Sequence, residues 1–285
     1  MSEWGGGVNN AFFSSDMFDR HRVLQVAEKE YSGRSLKGAY YVVAADIGRF
    51  QCPTEICVFK CTPQPTGTDI KSLVNLFTID AEDFEYQALF LKKLYYRYDA
   101  DIIVLDGNGL GAGLIDFMYL SQVDPDTGES FPPFGVANDD KGYYKKKKAA
   151  GMVSDAIYQI KADAAFNTEA YSYAQTQLAS GKIKFLVDEG QAKSKLMASK
   201  VGQNMDYEER NDYLLPYVQT TMLKNQLLNL VQENDGINII LKQSSKSIKK
   251  DKVSAFIYGL HYIKKCEDNK KRKRGRSITD FMFFT

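Results

Sequence analysis

The segment "IIVLDGNGLGAG" (residues 102–113) decides how the chain is interpreted, because an apolar, strand-forming run ends in Asp106 and then breaks into glycines. Two kinds of site begin in this way. Gly107, Gly109 and Ala112 fit the G-x-G-x-x-A pattern of a dinucleotide-binding loop, which cradles phosphates. Alternatively, the strand holds the carboxylate of Asp106 out to a metal ion. The remaining sequence has to decide between these two interpretations.

The composition is that of an ordinary globular protein. The chain has 285 residues, of which 44% are apolar and 26% charged, enough for one large α/β domain or two small ones. No stretch approaches the roughly 18 to 20 uncharged apolar residues that span a bilayer, and the N-terminus lacks a signal-peptide pattern. We therefore expect a cytoplasmic location and no membrane partner. Four cysteines in a chain of this length do not form a disulfide framework.

Charge is unevenly distributed, although the net charge is only +1. Residues 242–276 carry 13 Lys or Arg against three acids, so this end of the chain is suited to binding an anion. A second basic run, YYKKKK (143–148), contains aromatic residues that can stack on bases. Solvated tails and surface loops have a similar composition, and neither run specifies a partner by itself. From these regions we take as DNA-binding candidates Lys145, Lys146, Lys249, Lys250, Arg272 and Arg274.

The order of the predicted elements indicates an α/β fold. Hydrophobic periodicity predicts strands at residues 38–48, 54–62, 72–80, 102–106 and 236–245, the first two as a hairpin. It predicts helices at residues 84–98, 114–120, 153–180, 213–234 and 251–265, and Pro and Gly content predicts a loop at 124–135. A strand, a helix and a parallel strand in succession, as at residues 72–106, form a right-handed crossover.

Three aspartates occupy matching places in these elements. Asp46 ends the first strand, Asp106 ends the fourth, and Asp251 lies in the first turn of the last helix. If the two strands are parallel neighbours, about 4.8 Å apart, their C-terminal ends bring both carboxylates into one crevice, the usual location of a site in an open α/β sheet. An acid at a helix start is also a common capping residue, so Asp251 alone would indicate little.

Three carboxylates in one crevice call for a cation, because like charges at short range repel. They suit one or two Mg²⁺ or Mn²⁺ ions, which take oxygen ligands. Two such ions about 4 Å apart can activate a water and stabilise the leaving oxygen of a phosphodiester, which is nuclease chemistry. Asp106 at the strand end would repel a bare pyrophosphate but favour a metal, so the metal interpretation is preferred. The glycines then leave room for a nucleic-acid backbone.

The segments "VVAADIGR", "IIVLDGNGLGAGLIDFM" and "KSIKKDKVSAFIYGL", which carry Asp46, Asp106 and Asp251, resemble the three acidic motifs of the nuclease domain of phage and herpesvirus terminase large subunits. The resemblance implies a ribonuclease H-like fold, with a mixed central sheet flanked by helices. It implies a metal-dependent endonuclease that cuts concatemeric viral DNA during packaging, with the three aspartates as catalytic and metal-binding residues. Double-stranded DNA, a portal protein and a small terminase subunit are the implied partners, in the host cytoplasm.

The chain departs from this family in two respects. It has no G-x-x-x-x-G-K-[ST] motif, so we expect the nuclease portion without the packaging ATPase. Some relatives place a histidine just upstream of the third acid, whereas here His261 lies mid-helix and is expected to be a packed or surface residue. We divide the chain into a lead-in segment (1–37), a nuclease domain (38–265) and a basic C-terminal tail (266–285).

Two alternative functions remain open. Actin-like and sugar-kinase-like ATPases share the ribonuclease H-like core, and their aspartate-x-glycine turn is similar to "ADIG" (45–48). They need a duplicated core, and no second copy of the strand pattern is visible. The other alternative is a catalytically silent module that docks on DNA or a portal protein through the basic end; intact acids at all three positions argue against it. Metal-dependent cleavage of plasmid DNA distinguishes the nuclease from both.

Overall fold

The computed structural model describes residues 11–32, 38–50, 52–80, 82–139, 142–144, 151–235 and 238–282; for residues 154, 234, 235, 238 and 273–282 it describes only the strand or helix that contains them. The strands are β1 (Arg22–Leu24), β2 (Tyr40–Asp46), β3 (Thr54–Thr62), β4 (Ile70–Ile79), β5 (Ile102–Asp106), β6 (Gln122–Val123), β7 (Ser130–Phe131), β8 (Phe134–Val136), β9 (Val153–Ile160), β10 (Ile183–Leu186), β11 (Leu230–Asp235) and β12 (Asn238–Gln243). The helices are α1 (Ser15–Asp19), α2 (Phe84–Arg97), α3 (Leu110–Met118), α4 (Ala164–Ala179), α5 (Glu189–Ala198), α6 (Lys200–Asn204), α7 (Tyr207–Leu228) and α8 (Asp251–Met282).

A mixed eight-stranded sheet forms the centre of the described structure, in the order β1-β10-β4-β3-β2-β5-β9-β8. Strand β3 runs antiparallel to both of its neighbours, β2 and β4, whereas the other adjacent pairs in the sheet are parallel. Strands β11 and β12 form a separate antiparallel hairpin. The predicted mixed central sheet and the predicted hairpin of β2 and β3 are both confirmed.

Strand β2 lies in the middle of the sheet and is covered on both faces. Val42 and Ala44 belong to the core that the sheet forms with α4 and α8, while Val43 and Ala45 belong to the core that it forms with α2 and α3. Successive side chains of a strand point to opposite faces, which is why every residue of this strand up to its last is apolar or aromatic and buried. By the same alternation, Asp46 points to the face that α8 covers.

Helix α8 packs closely against the sheet from its first turns onward. The ring of Phe256 contacts the ring of Phe59 on β3, with a centroid separation of 5.8 Å. A Cβ atom at Gly259 would lie only 2.4 Å from the ring of Phe59, so a glycine is needed for this approach. The helix therefore carries its first residue, Asp251, to the edge of the sheet where β2 and β5 end.

Two predicted helices are partly wrong. Residues 153–160 form strand β9, which pairs with β5, and α4 begins only at Ala164. Helix α7 ends at Leu228, and the residues that follow form β11. In both segments a neighbouring strand supplies the hydrogen bonds, and this tertiary pairing is not contained in local periodicity. The predicted strand at 236–245 exists as β12, but it pairs outside the central sheet.

Smaller differences concern the ends of elements. The predicted loop at 124–135 contains β7 and the start of β8, and α3 begins earlier than predicted, at Leu110. Helix α8 continues past residue 265, so the basic segment begins as a continuation of this helix. Within the described residues, no helix has the length and apolar character required to cross a membrane.

Candidate metal centre

The three predicted aspartates meet at one edge of the sheet. Asp46 is the last residue of β2 and Asp106 is the last residue of β5. These strands are parallel neighbours, and the pairing of Ala45 with Leu105 sets the two aspartates side by side. Asp251 is the first residue of α8, which packs on the same face. The predicted parallel pairing of the two strands is confirmed, while the chemical roles of the three residues stay predictions.

The pKa of Asp46 is affected by both of the other carboxyl groups. Its pKa is raised to about 7, first by burial and then by the negative charge of Asp251, with a smaller effect of Asp106. A hydrogen bond with Ser254 and the positive charge of Lys250 lower the pKa but do not outweigh these causes. Asp46 therefore interacts with both other acids, and its carboxyl is partly protonated near neutral pH.

Asp106 is held by backbone donors. Burial raises the pKa of its carboxyl, and N–H groups of Asn108 and Ala162 act against that rise. The N–H of Asn108 donates to Oδ1 of Asp106 over 3.0 Å. The turn after β5 and the segment after β9 thus fix the orientation of this carboxylate before any ligand binds.

The donor set fits a hard divalent cation. In the part of the chain that the structure describes, no three His, Cys, Asp or Glu side chains lie close enough together to hold a metal ion without some rearrangement. Burial comes first in raising the pKa of Asp46, and repulsion from Asp251 and, to a lesser extent, Asp106 raises it further. A divalent cation would relieve this repulsion, and carboxylate oxygens are the ligands that Mg²⁺ and Mn²⁺ prefer.

Most of the glycines after Asp106 are needed for packing within the protein. A Cβ atom on Gly111 would lie 1.8 Å from the carbonyl oxygen of Asp106, and one on Gly107 would lie 2.5 Å from Oε1 of Gln159. These two glycines let α3 and β9 pack against the end of β5. Gly109 differs, because its φ of 55° is in the left-handed region and a Cβ there would meet nothing within 4 Å. Of the three, only Gly109 leaves the open space expected for an approaching nucleic-acid backbone.

Two clefts flank the first turn of α8. A cleft of about 930 Å³ lies between α7 and the ends of β3 and β4, and its lining includes Asp251, Lys249 and Lys252. A second, of about 370 Å³, lies between α4, β12 and α8, and its lining includes Lys250 and Ser254. The turn that carries Asp251 therefore separates two clefts, each lined by a lysine that the sequence analysis assigned to DNA binding.

No protein-family model and no curated protein matches the sequence. Among solved structures, the large terminase nuclease from thermophilic phage G20c with bound cobalt is similar over 88% of this chain and 97% of its own length, with a TM-score of 0.50 and 14% identity. The chain has the fold of a large terminase nuclease. The ribonuclease H-like fold expected from the sequence is thereby confirmed.

Other terminase nucleases are also similar to this chain. The large terminase nuclease domain of Thermus phage P74-26 is 13% identical, with a TM-score of 0.49, and the similarity covers 88% of this chain and 94% of that domain. The g2p (large terminase) nuclease domain of bacteriophage SPP1 with bound Mn is 10% identical, with a TM-score of 0.39, over 78% of this chain and 86% of that domain.

On this terminase nuclease fold, a fourth carboxylate and a buried lysine lie beside the aspartates, and neither was predicted from the sequence. Glu55 on β3 pairs with Asp46 on β2, so the two side chains share a face of the sheet. The carboxylate of Glu55 forms an ion pair of 2.5 Å with Nζ of Lys252, the second residue of α8. Glu55 could have been found from the sequence only through the predicted hairpin of β2 and β3, in which it pairs with Asp46. Nothing in the sequence distinguishes Lys252 from the basic residues around it.

The predicted DNA-binding lysines divide into two pairs. Lys249 and Lys250 are exposed just before α8, beside the candidate metal centre. Lys145 and Lys146 lie outside the described residues. A role of the first pair in binding DNA near the aspartates is therefore compatible with their position.

The predicted arginines lie much farther along α8. Arg272 is exposed and follows Asp251 by 21 residues, which at about 1.5 Å per residue corresponds to about 32 Å along the helix axis. Arg274 lies in the same helix, of which the structure describes the backbone but not this side chain. The two arginines are therefore remote from the aspartates.

His261 lies on α8 between the aspartates and these arginines. Its ring packs against Phe166, with a centroid separation of 4.6 Å, and it is half-buried. Together with Lys264, Lys265 and Arg272 it lines a small cleft of about 300 Å³. Of the two expectations for His261, a packed or a surface helix residue, the contact with Phe166 supports the packed one.

Proposed function

We propose that the chain is the metal-dependent DNA endonuclease of a viral genome-packaging terminase, which hydrolyses phosphodiester bonds in concatemeric DNA. The observation that supports this most is the convergence of three aspartates: Asp46 and Asp106 end adjacent parallel strands, and Asp251 begins the helix packed on the same face. The terminase nuclease fold supports the same activity, since a protein of this fold binds a divalent metal, cobalt.

Asp46, Asp106 and Asp251 would hold one or two Mg²⁺ or Mn²⁺ ions through their carboxylate oxygens. Divalent ions in such a site lower the pKa of a bound water and stabilise the leaving oxygen of a phosphodiester. The chain contributes positioning: adjacent strands fix two of the carboxylates, and the first turn of α8 fixes the third. The N–H of Asn108 keeps one oxygen of Asp106 in place.

The substrate we propose is double-stranded DNA, bound through its phosphates. Lys249 and Lys250 flank the aspartates and would contact the backbone near the cleaved bond, whereas Arg272 and Arg274 would contact it at a distance. Nothing in the sequence resembles a recognition helix that reads base edges, so we expect little sequence preference. A portal protein and a small terminase subunit are the proposed protein partners, in the host cytoplasm.

The test is cleavage of supercoiled plasmid by the purified chain in Mg²⁺ or Mn²⁺. We expect cleavage that EDTA stops, and a loss of at least a hundredfold in each of the variants Asp46→Asn, Asp106→Asn and Asp251→Asn, because the amide no longer attracts the cation. Asp188→Asn is the matched control, since it removes the same charge at the N-terminus of α5 and leaves a cap in place.

Each other outcome points to a different function. Equal cleavage in EDTA would exclude the metal mechanism, and full activity of one variant would remove that residue from the centre. Turnover of ATP without cleavage would favour the actin-like or sugar-kinase-like alternative. DNA binding without cleavage in any divalent metal would favour the silent docking module.

A further inference from the structure

A row of polar side chains crosses the sheet beside the candidate metal centre. Glu55 pairs with Asp46 on one side and with Thr78 of β4 on the other, so the three side chains share the face covered by α8. Glu55 and Asp251 also line the same cleft, so these two acids lie near each other. The crevice thus borders on a fourth carboxylate.

Lys252 forms an ion pair with this fourth carboxylate, Glu55. Its Nζ lies 2.5 Å from Oε2 of Glu55 and 2.8 Å from Oγ1 of Thr78. Lys252 is 1% exposed and Glu55 is 5% exposed, so neither charge is screened by water. Because a buried charge without a partner is costly, each of these side chains constrains the position of the other.

The backbone of the same turn is also anchored. Oε1 of Gln226, on α7, accepts hydrogen bonds from the N–H groups of Lys252 over 3.0 Å and Val253 over 3.3 Å. These N–H groups belong to the first turn of a helix and have no partner within it. The residue next to them is Asp251, so the turn that presents this aspartate is tied to α7 through its backbone and to β3 and β4 through Lys252.

We propose that Lys252 neutralises Glu55 and so limits the metal centre to three carboxylates, while Gln226 holds the turn that carries Asp251 through its backbone. The inference rests on the proposed function and adds these residues to it. Without the ammonium group, the carboxylate of Glu55 would be a free oxygen donor in the row that contains Asp46. Without the carboxylate of Glu55, an uncompensated positive charge would stand beside the cation site.

The two charges therefore have opposite effects on metal affinity, and this can be measured without DNA. We expect Lys252→Met to bind Mn²⁺ at least tenfold more tightly than the wild type in calorimetric titration, because one negative charge gains access to the ion. We expect Glu55→Gln to bind it at least tenfold more weakly, because the positive charge of Lys252 is left unpaired. The double variant restores the charge balance and should bind within threefold of the wild type.

A purely structural ion pair behaves differently, and a second pair on the same helix provides the control. Lys71 and Glu267 form a buried ion pair of 2.6 Å, 16 residues along α8 from Asp251. Lys71→Met and Glu267→Gln should lower stability to unfolding but leave the Mn²⁺ affinity within threefold of the wild type. If the Lys252 and Glu55 variants behave like this control, or shift the affinity in the same direction, the proposal is overturned.

The test remains decisive if one variant does not fold or if the wild type binds no Mn²⁺. If Lys252→Met does not fold, Glu55→Gln and the double variant carry the test, and Glu55→Gln binding Mn²⁺ as tightly as the wild type overturns the proposal. A wild-type chain that binds no Mn²⁺ overturns the proposed function together with this inference. A wild type that binds Mn²⁺ and cuts DNA, with unchanged affinity in the variants, overturns the inference alone.

Discussion

Replacing Asp46 with asparagine is expected to stabilise the metal-free protein above neutral pH. Burial, together with the charges of Asp251 and Asp106, raises the pKa of Asp46 from 3.8 to about 7. Between these pH values the folded state retains a proton that the unfolded state has released. The free energy of unfolding therefore falls as the pH rises from about 4 to about 7, by up to about 4 kcal/mol, and stays at the lower value above that. Asparagine cannot ionise and escapes this loss.

The dependence on pH distinguishes this effect from a change in packing. At pH 8 the Asp46→Asn variant should exceed the wild type by up to about 4 kcal/mol in unfolding free energy, or about 8 °C in melting temperature for a chain of this size. At pH 4 the difference should be less than about 1 kcal/mol, because the carboxyl of folded wild type is then protonated.

The assay is thermal unfolding followed by circular dichroism in EDTA at pH 4, 6 and 8. The control is Asp188→Asn, since Asp188 accepts the N–H of Gln191 over 2.9 Å and asparagine caps a helix equally well. Added Mn²⁺ should stabilise the wild type more than Asp46→Asn, because only the wild type has all three ligands. A variant no more stable than the wild type at pH 8, or more stable by the same amount at pH 4 and pH 8, would refute the reasoning.

Three other changes test separate parts of the molecule. Replacing Arg272 and Arg274 with glutamine should flatten the slope of log K against log salt for DNA binding by about 2, measured by fluorescence anisotropy; an unchanged slope removes both from the DNA-binding surface. Gly111→Ala should lower the stability to urea by more than about 1 kcal/mol, because its Cβ would lie 1.8 Å from the carbonyl oxygen that ends β5; equal stability would contradict that packing. Glu267→Gln should cost about 3 to 5 kcal/mol in the same assay, because Lys71 is left buried and unpaired, and a negligible loss would show that the pair is unimportant.

The three aspartates could be found from the sequence because each stands where a local pattern ends. Asp46 and Asp106 follow runs in which every residue is apolar or aromatic, as expected of strands buried on both faces. Asp251 precedes an amphipathic run that becomes α8. Such patterns depend on residues close in the chain, and the same is true of helix α2. The crossover from β4 through α2 to β5, with the hairpin before it, predicts that β5 runs parallel to β2, whereas their direct pairing is seen only in the structure.

Segments with a weaker local pattern were predicted wrongly. Residues 153–160 mix apolar and polar side chains without strict alternation and were assigned to the helix that follows them. They become a strand because β5 offers a free edge, and pairing there satisfies their backbone groups. Strand β11, which follows α7, also forms because of pairing with another segment. Its partner is β12, which comes later in the chain.

Lys252 shows most clearly what a single sequence leaves out. It stands in "KSIKKDK" with other lysines, and each of these side chains would ordinarily be assigned to solvent. Its burial follows from three separate facts: the register that puts Glu55 beside Asp46, the docking of α8 on that face, and the cap that Gln226 provides from α7. The docking of α8 and the cap from Gln226 both join residues far apart in the chain. An acid at a strand end can therefore be recognised locally, whereas the charge that balances its neighbour becomes visible only when the register and the docking are known, and the Mn²⁺ affinities of the Glu55 and Lys252 variants test that balance directly.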